Sequence, residues 1–141
     1  MKYVIDASVA AIWVLRAPLT PKALQLRDDY RRRVHELIAP AHFPHEIANA
    51  LTKAERQKLI SIGDAHLLIA DVLNTAPVLH AVDPLFYRAV DMSSQTRSAF
   101  YDCLYVALAE QESCAFVTTD DKLLRNLQAQ FPFIIHLSAL P

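Results

Sequence analysis

Five short apolar runs constrain this chain more than any other feature: residues 2–6, 37–39, 78–80, 115–118 and 133–137. Each is too short for a stable helix, and each lies between stretches with helical spacing. The first carries Tyr-Val-Ile and runs into an apolar helix expected over 8–15. Thr20-Pro21 marks the next helix, with Thr20 as N-cap and proline at the first helical position. Ala23, Leu26, Tyr30 and Val34 then fall on one face, which leaves Arg27, Asp28, Arg31 and Arg32 outward. Pro44 opens a helix to about Leu59, and Ser61 with Asp64 resembles a capping box for a helix over 61–74. Pro84 starts another, Phe100–Glu112 reads as strongly helical, and Asp120 or Asp121 begins the last. Short buried strands alternating with helices predict an α/β fold, a mostly parallel sheet with both faces covered.

The 141 residues suit one domain, 1–141, without repeats, low-complexity segments or a dividing linker. With 53% hydrophobic residues the chain can fill a core, which excludes disorder. No run of about 18 uncharged apolar residues exists, so no transmembrane helix is expected. The apolar stretch 3–15 carries Asp6 in its middle and lacks a small-residue cleavage site, so it does not read as a signal peptide, and a cytoplasmic location is expected. Cys103 and Cys114 read as buried small hydrophobes rather than a disulfide framework. A single glycine, Gly63, excludes the glycine-rich loops that cradle nucleotide phosphates. The net charge of −1 does not by itself advertise nucleic-acid binding, although an acidic metal site would mask a local basic surface.

In a parallel α/β sheet the ligand site lies beyond the carboxyl ends of the strands. Four acids satisfy that test: Asp6 ends the first strand, Glu46 is in the first turn after the second, Asp102 begins the helix at Phe100, and Asp120 follows the strand ending near Thr118. Each alone also reads as a helix-start acid, and Asp120 as an N-cap. Asp6 is harder to explain structurally, because it sits in apolar sequence without a local basic partner. Two carboxylates about 4 Å apart repel by roughly 4 kcal/mol at an effective dielectric near 20. A converging cluster therefore raises its pKa values or holds a cation, and an all-oxygen set selects Mg²⁺, Mn²⁺ or Ca²⁺ over zinc.

Four segments, Tyr3-Val-Ile-Asp-Ala-Ser-Val9, Pro44-His-Glu-Ile-Ala-Asn-Ala-Leu51, Tyr101-Asp-Cys-Leu-Tyr-Val-Ala-Leu-Ala-Glu110 and Val117-Thr-Thr-Asp-Asp-Lys-Leu123, resemble in order and spacing the signature segments of PIN-domain nucleases, especially VapC-type toxins of toxin–antitoxin pairs. The resemblance spans essentially the whole chain. It implies an α/β/α sandwich and a Mg²⁺- or Mn²⁺-dependent endoribonuclease that hydrolyses RNA phosphodiesters with a metal-activated water, leaving a 5′-phosphate and a 3′-hydroxyl. By the same resemblance Asp6 and Asp102 bind the metal directly, Glu46 and Asp120 complete the shell or hold a second ion, and the hydroxyls of Ser8 and Thr118 support the site. Asp121 stands next to the fourth acid and competes with Asp120 for that position. A cognate antitoxin protein and a homodimer are the implied partners.

Other features carry less. His42 and His45 flank Phe43-Pro44 and read as structural or rim residues, since no His-Glu-x-x-His helix exists. Arg31-Arg32-Arg33 reads as a solvated face. Lys53, Arg56 and Lys58 are candidate phosphate contacts, but Lys122 and Arg125 are nearer the expected site. Two alternatives compete: an acid-pocket phosphohydrolase, which would need paired acids near the first strand, and a non-catalytic PIN-like interaction domain.

Overall fold

The computed structural model describes residues 1–141. All five runs form strands: β1 (Lys2–Ile5), β2 (Glu36–Pro40), β3 (Val78–His80), β4 (Ala115–Thr118) and β5 (Ile134–His136). They make one parallel sheet in the order β3-β2-β1-β4-β5. The central strands β1 and β4 are buried at nearly every position, as an all-parallel sheet covered on both faces requires. Seven helices supply the cover: α1 (Ala7–Ala11), α2 (Thr20–Arg31), α3 (Phe43–Arg56), α4 (Asp64–Asn74), α5 (Phe86–Thr96), α6 (Phe100–Glu112) and α7 (Asp121–Leu127).

The strand order fixes the layers. From β1 the chain steps outward to β2 and β3, then crosses back to β4 and on to β5. Right-handed crossovers put α1 to α4 on one face and α5 to α7 on the other, which gives the expected α/β/α sandwich. The direction of travel reverses between β1 and β4, so the carboxyl ends of those two strands form the topological switch point. Because Ile5 pairs with Val117, the next residues along, Asp6 and Thr118, arrive level with each other at that edge.

Several local expectations need correction. The first helix stops at Ala11, not Leu15, and 12–14 continue as turns. Leu19, not Thr20, is the N-cap of α2; the Thr20 hydroxyl turns back to accept from Ala17 N at 2.9 Å and donate to Leu15 O at 2.9 Å. Only half of the capping box forms, Asp64 Oδ2 accepting from Ser61 N at 2.9 Å. Gly63, at φ +96°, is the residue that enters α4. Pro84 lies in a single 3-10 turn (Asp83–Leu85) ahead of α5. Val34 lies past the end of α2 and is exposed.

Arg27 is the largest departure. Expected outward, it is 4% exposed, with its guanidinium 4.9 Å over the Trp13 ring. It donates from Nε to Thr75 Oγ1 at 2.6 Å and from Nη2 to Asp71 O at 2.7 Å and Oδ1 at 2.9 Å. The outer helix α4 covers that side of α2, so a face that periodicity assigns to solvent becomes an interface. Four helices end on non-glycine residues at positive φ, Arg33, Lys58, Arg97 and Ser113. Three of these are basic, and a cation there complements the negative end of the helix dipole.

Candidate active site

Asp6, Glu46, Asp102 and Asp120 lie at the amino ends of α1, α3, α6 and α7, all at the carboxyl edge of the sheet. Asp6 and Asp120 are the N-caps of their helices, accepting from Ser8 N and Leu123 N, each at 3.1 Å. The N-cap reading of Asp120 is therefore correct, and it does not compete with a role in the cluster, because the cap occupies only one carboxylate oxygen. Each helix start also offers the positive end of a dipole to its acid.

Asp6 is the deepest of the four, 8% exposed. Ser8 Oγ donates to its Oδ1 at 2.5 Å and Thr118 Oγ1 to its Oδ2 at 2.7 Å. Ser8 Oγ and Thr118 Oγ1 are 3.1 Å apart, Thr119 N donates to Ser8 Oγ at 2.9 Å, and Asp120 N donates to Thr118 Oγ1 at 3.1 Å. The two hydroxyls thus form a bracket that fixes Asp6 and ties β1 to the β4–α7 junction. Glu46 is held separately, its Oε1 3.0 Å from His42 Nε2.

The electrostatics show one cluster. Burial pushes the Asp6 carboxyl up to about 7; the Ser8 and Thr118 hydrogen bonds oppose the rise, and the charges of Glu46 and Asp102 add to it. Asp102 is pushed up to about 6, by burial first and then by Asp120 and Glu46, only partly offset by Lys122 and His42. Beneath them the Tyr105 phenol is raised by burial and by Glu46, Asp6 and Asp102. Its hydroxyl is buried with no hydrogen-bond partner. The site therefore carries negative charge beyond what its own cations balance.

That surplus, on hard oxygen donors, fits a divalent cation of the Mg²⁺ or Mn²⁺ kind. No three of the acids stand close enough together to hold a metal ion by themselves, so an ion held here would need waters to complete its shell. A cleft of about 580 Å³ opens beside Glu46 and Asp102, lined also by His42, His45, Asn49 and Tyr101. On the other side of Asp102 a cavity of about 90 Å³ includes Arg97, Asp120, Lys122 and Asn126. A larger hollow at the α3–α4 turn holds Arg56 and Lys58, at the opposite end of α3 from Glu46, so those two cations are not at the acid cluster. The Asp121 carboxylate is exposed and 4.0 Å from His136, away from the bracket.

A PIN domain model matches residues 3–128. A VapC ribonuclease of Mycobacterium bovis, Mb0985, is 32% identical over 138 residues, 94% of this chain and 96% of its own length. The chain belongs to the PIN-domain family, in its VapC branch. Ribonuclease VapC12 of Mycobacterium tuberculosis is 29% identical over 123 residues, covering 87% of this chain and 90% of its own. Among solved structures, PAE2754 of Pyrobaculum aerophilum superposes with a TM-score of 0.69 at 24% identity over 98% of this chain and 93% of its own. Mycobacterium tuberculosis VapC20, a sarcin-ricin loop cleaving toxin, gives 0.64 at 15% identity over 87% and 93%. These two establish the shared fold. The expected PIN-like architecture is borne out.

Two supporting contacts at this candidate site lie beyond the sequence reading. His42 is a rim residue, as expected, but it also hydrogen-bonds Glu46, a contact its i,i+4 spacing could have signalled. Tyr105 packs its ring 5.0 Å from His42 and lies under the acids, but nothing in an apolar helix distinguishes such a tyrosine from core.

Proposed function

We propose that Asp6, Glu46, Asp102 and Asp120 together form the divalent-cation and catalytic site of this VapC-type endoribonuclease, with Asp6 and Asp102 as its innermost ligands. The chain is a hydrolase of RNA and the toxin member of a toxin–antitoxin pair, as its VapC relatives indicate. The observation that carries the site assignment is the placement of all four acids at helix starts on the carboxyl edge of the sheet, with Asp6 buried at the β1–β4 switch point; burial and the neighbouring acids raise the Asp6 and Asp102 pKa values accordingly. A fold keeps uncompensated buried acids at cost, and a cation removes that cost.

A divalent cation bound here supplies Lewis acidity to the scissile phosphodiester and lowers the pKa of the attacking water. The chain's own groups do the rest. Ser8 and Thr118 hold both Asp6 oxygens in place, so this ligand is preorganised. His42 fixes Glu46 through Oε1, which leaves Oε2 to accept the proton of the attacking water. Lys122, beside Asp102 and Asp120, meets the negative charge of the RNA backbone. Water adds to phosphorus as the bond to the 3′-oxygen breaks, giving a 5′-phosphate and a 3′-hydroxyl.

A small antitoxin and a second copy of the chain are the proposed protein partners. The exposed apolar side chains Ile62, Leu67 and Tyr87 are available for such contacts. No helix is long and apolar enough to cross a membrane, and a cytoplasmic location is part of the proposal. The test is incubation of the purified protein with total RNA and Mg²⁺ or Mn²⁺, beside EDTA and Asp6→Asn controls. Discrete fragments with 5′-phosphate ends, absent from both controls, are expected. An inert protein that also binds no divalent ion by calorimetry would refute the reading.

A further inference from the structure

The cleft beside Glu46 and Asp102 divides into chemically different walls. From α3 come His45, Glu46 and Asn49, with His45 and Asn49 one helical turn apart on the same face. From α6 comes Tyr101, 61% exposed, its ring steadied by His42 at 5.3 Å and by Phe100 at 5.7 Å. Tyr101 is thus an exposed aromatic surface supported by two neighbouring rings. Asn49 is exposed and its side-chain amide is bonded to no other protein group. No lysine or arginine lines this cleft; the nearby cations Arg97 and Lys122 lie on the far side of Asp102. Away from the acids, the Tyr101–Asn49 part of the cleft therefore offers a phosphate no cationic partner, whereas an uncharged planar group with hydrogen-bonding edges fits it.

We infer that this cleft is a nucleobase subsite: one unpaired base of the RNA strand, next to the scissile phosphate, stacks on Tyr101 and is read by the Asn49 amide. The inference rests on the ribonuclease reading above and extends it to substrate selection. Stacking on an aromatic ring is open to every base, so Tyr101 contributes affinity. An amide pairs its donor and acceptor with a base edge of matching pattern, so Asn49 contributes preference. Since the base must be free of a helix to enter, the substrate is single-stranded RNA or a loop, which also fits recognition through splayed bases.

The experiment cleaves a random-sequence RNA pool with the wild type and with Tyr101→Ala, Tyr101→Phe and Asn49→Ala, and sequences the fragment ends. Both positions are exposed, so the variants are expected to fold, and unchanged thermal midpoints verify it. Tyr101→Ala is expected to lower kcat/KM about 5–150-fold, the range corresponding to ~1–3 kcal/mol for one base–aromatic stack. Tyr101→Phe retains the ring and keeps near-wild-type cleavage. Asn49→Ala relaxes base preference at one fixed position from the cut and leaves the other positions unchanged. Wild-type kcat/KM in Tyr101→Ala, equal loss in Tyr101→Phe, or an unaltered preference profile in Asn49→Ala would each overturn the subsite; the first would leave the cleft to the antitoxin. A wild type that cuts the pool in a metal-dependent way while Tyr101→Ala matches it refutes the subsite alone. An inert wild type refutes the ribonuclease reading and the subsite with it.

Discussion

Replacing Asp6 by Asn should stabilise the metal-free protein at pH 8 while abolishing cleavage. Burial holds the Asp6 carboxyl up from 3.8 to about 7, so its charged form is disfavoured in the folded chain. At 1.36 kcal/mol per pH unit this amounts to about 4 kcal/mol at pH 8. The folded state binds the proton more tightly than the unfolded state between those two values. The contribution of Asp6 to stability is therefore fully present below about pH 4 and is lost as pH rises through about 7. Asn has the same shape and no charge. It still accepts from Ser8, but its amide group faces Thr118 Oγ1 and forces that hydroxyl to act as acceptor, at a cost of about 1 kcal/mol. The net gain at pH 8 is thus about 2–3 kcal/mol, or a rise in Tm of roughly 6–12 °C for a domain of this size. Urea unfolding in EDTA at pH 5 and pH 8 measures it. The difference between variant and wild type should grow with pH, and added Mg²⁺ should narrow it by stabilising only the wild type. A variant less stable than wild type at pH 8 in EDTA would refute the argument, since Asp6 would then be a satisfied structural acid.

Thr118→Val keeps the shape of a fully buried side chain but removes a hydrogen bond that lowers the Asp6 pKa. It should raise that pKa further, cost about 1–3 kcal/mol at pH 8 and weaken Mn²⁺ binding, read by urea unfolding and calorimetry. Asp120→Asn retains the N-cap, because asparagine caps as well as aspartate, so Tm should hold while cleavage falls; Asp121→Asn should leave both unchanged. Equal activity in the two variants would exclude Asp120 from the site. Arg27→Ala should cost about 3 kcal/mol in thermal or urea unfolding, because a buried cation, its stack on Trp13 and three hydrogen bonds are lost together. Cleavage per folded molecule should survive this change, since Arg27 bonds α4 and the turn after it and touches no acid of the cluster.

What the sequence could reveal about this molecule depended on how far each feature is determined locally. The strands were readable because each is an apolar run of the right length, and the parallel sheet followed from their alternation with helices. The four acids were readable for a related reason: a residue just past a strand, or in the first turn of the next helix, sits at the sheet's carboxyl edge whatever the strand order turns out to be. Position along an element therefore located Asp6, Glu46, Asp102 and Asp120 without knowledge of the tertiary arrangement. The supporting contacts depend on that arrangement. The bracket between Ser8 and Thr118 spans 110 residues and exists only because β1 and β4 are neighbours, an adjacency that nothing in either segment specifies. Arg27 was misplaced because helical periodicity presumes one buried face, whereas α2 is covered on a second side by α4. The same limit explains Tyr105, whose position under three carboxylates is set by the crossing of α6 over β1 and β2. Chemistry carried at the ends of elements can thus be read from one sequence, whereas chemistry supplied by the packing between elements requires the fold.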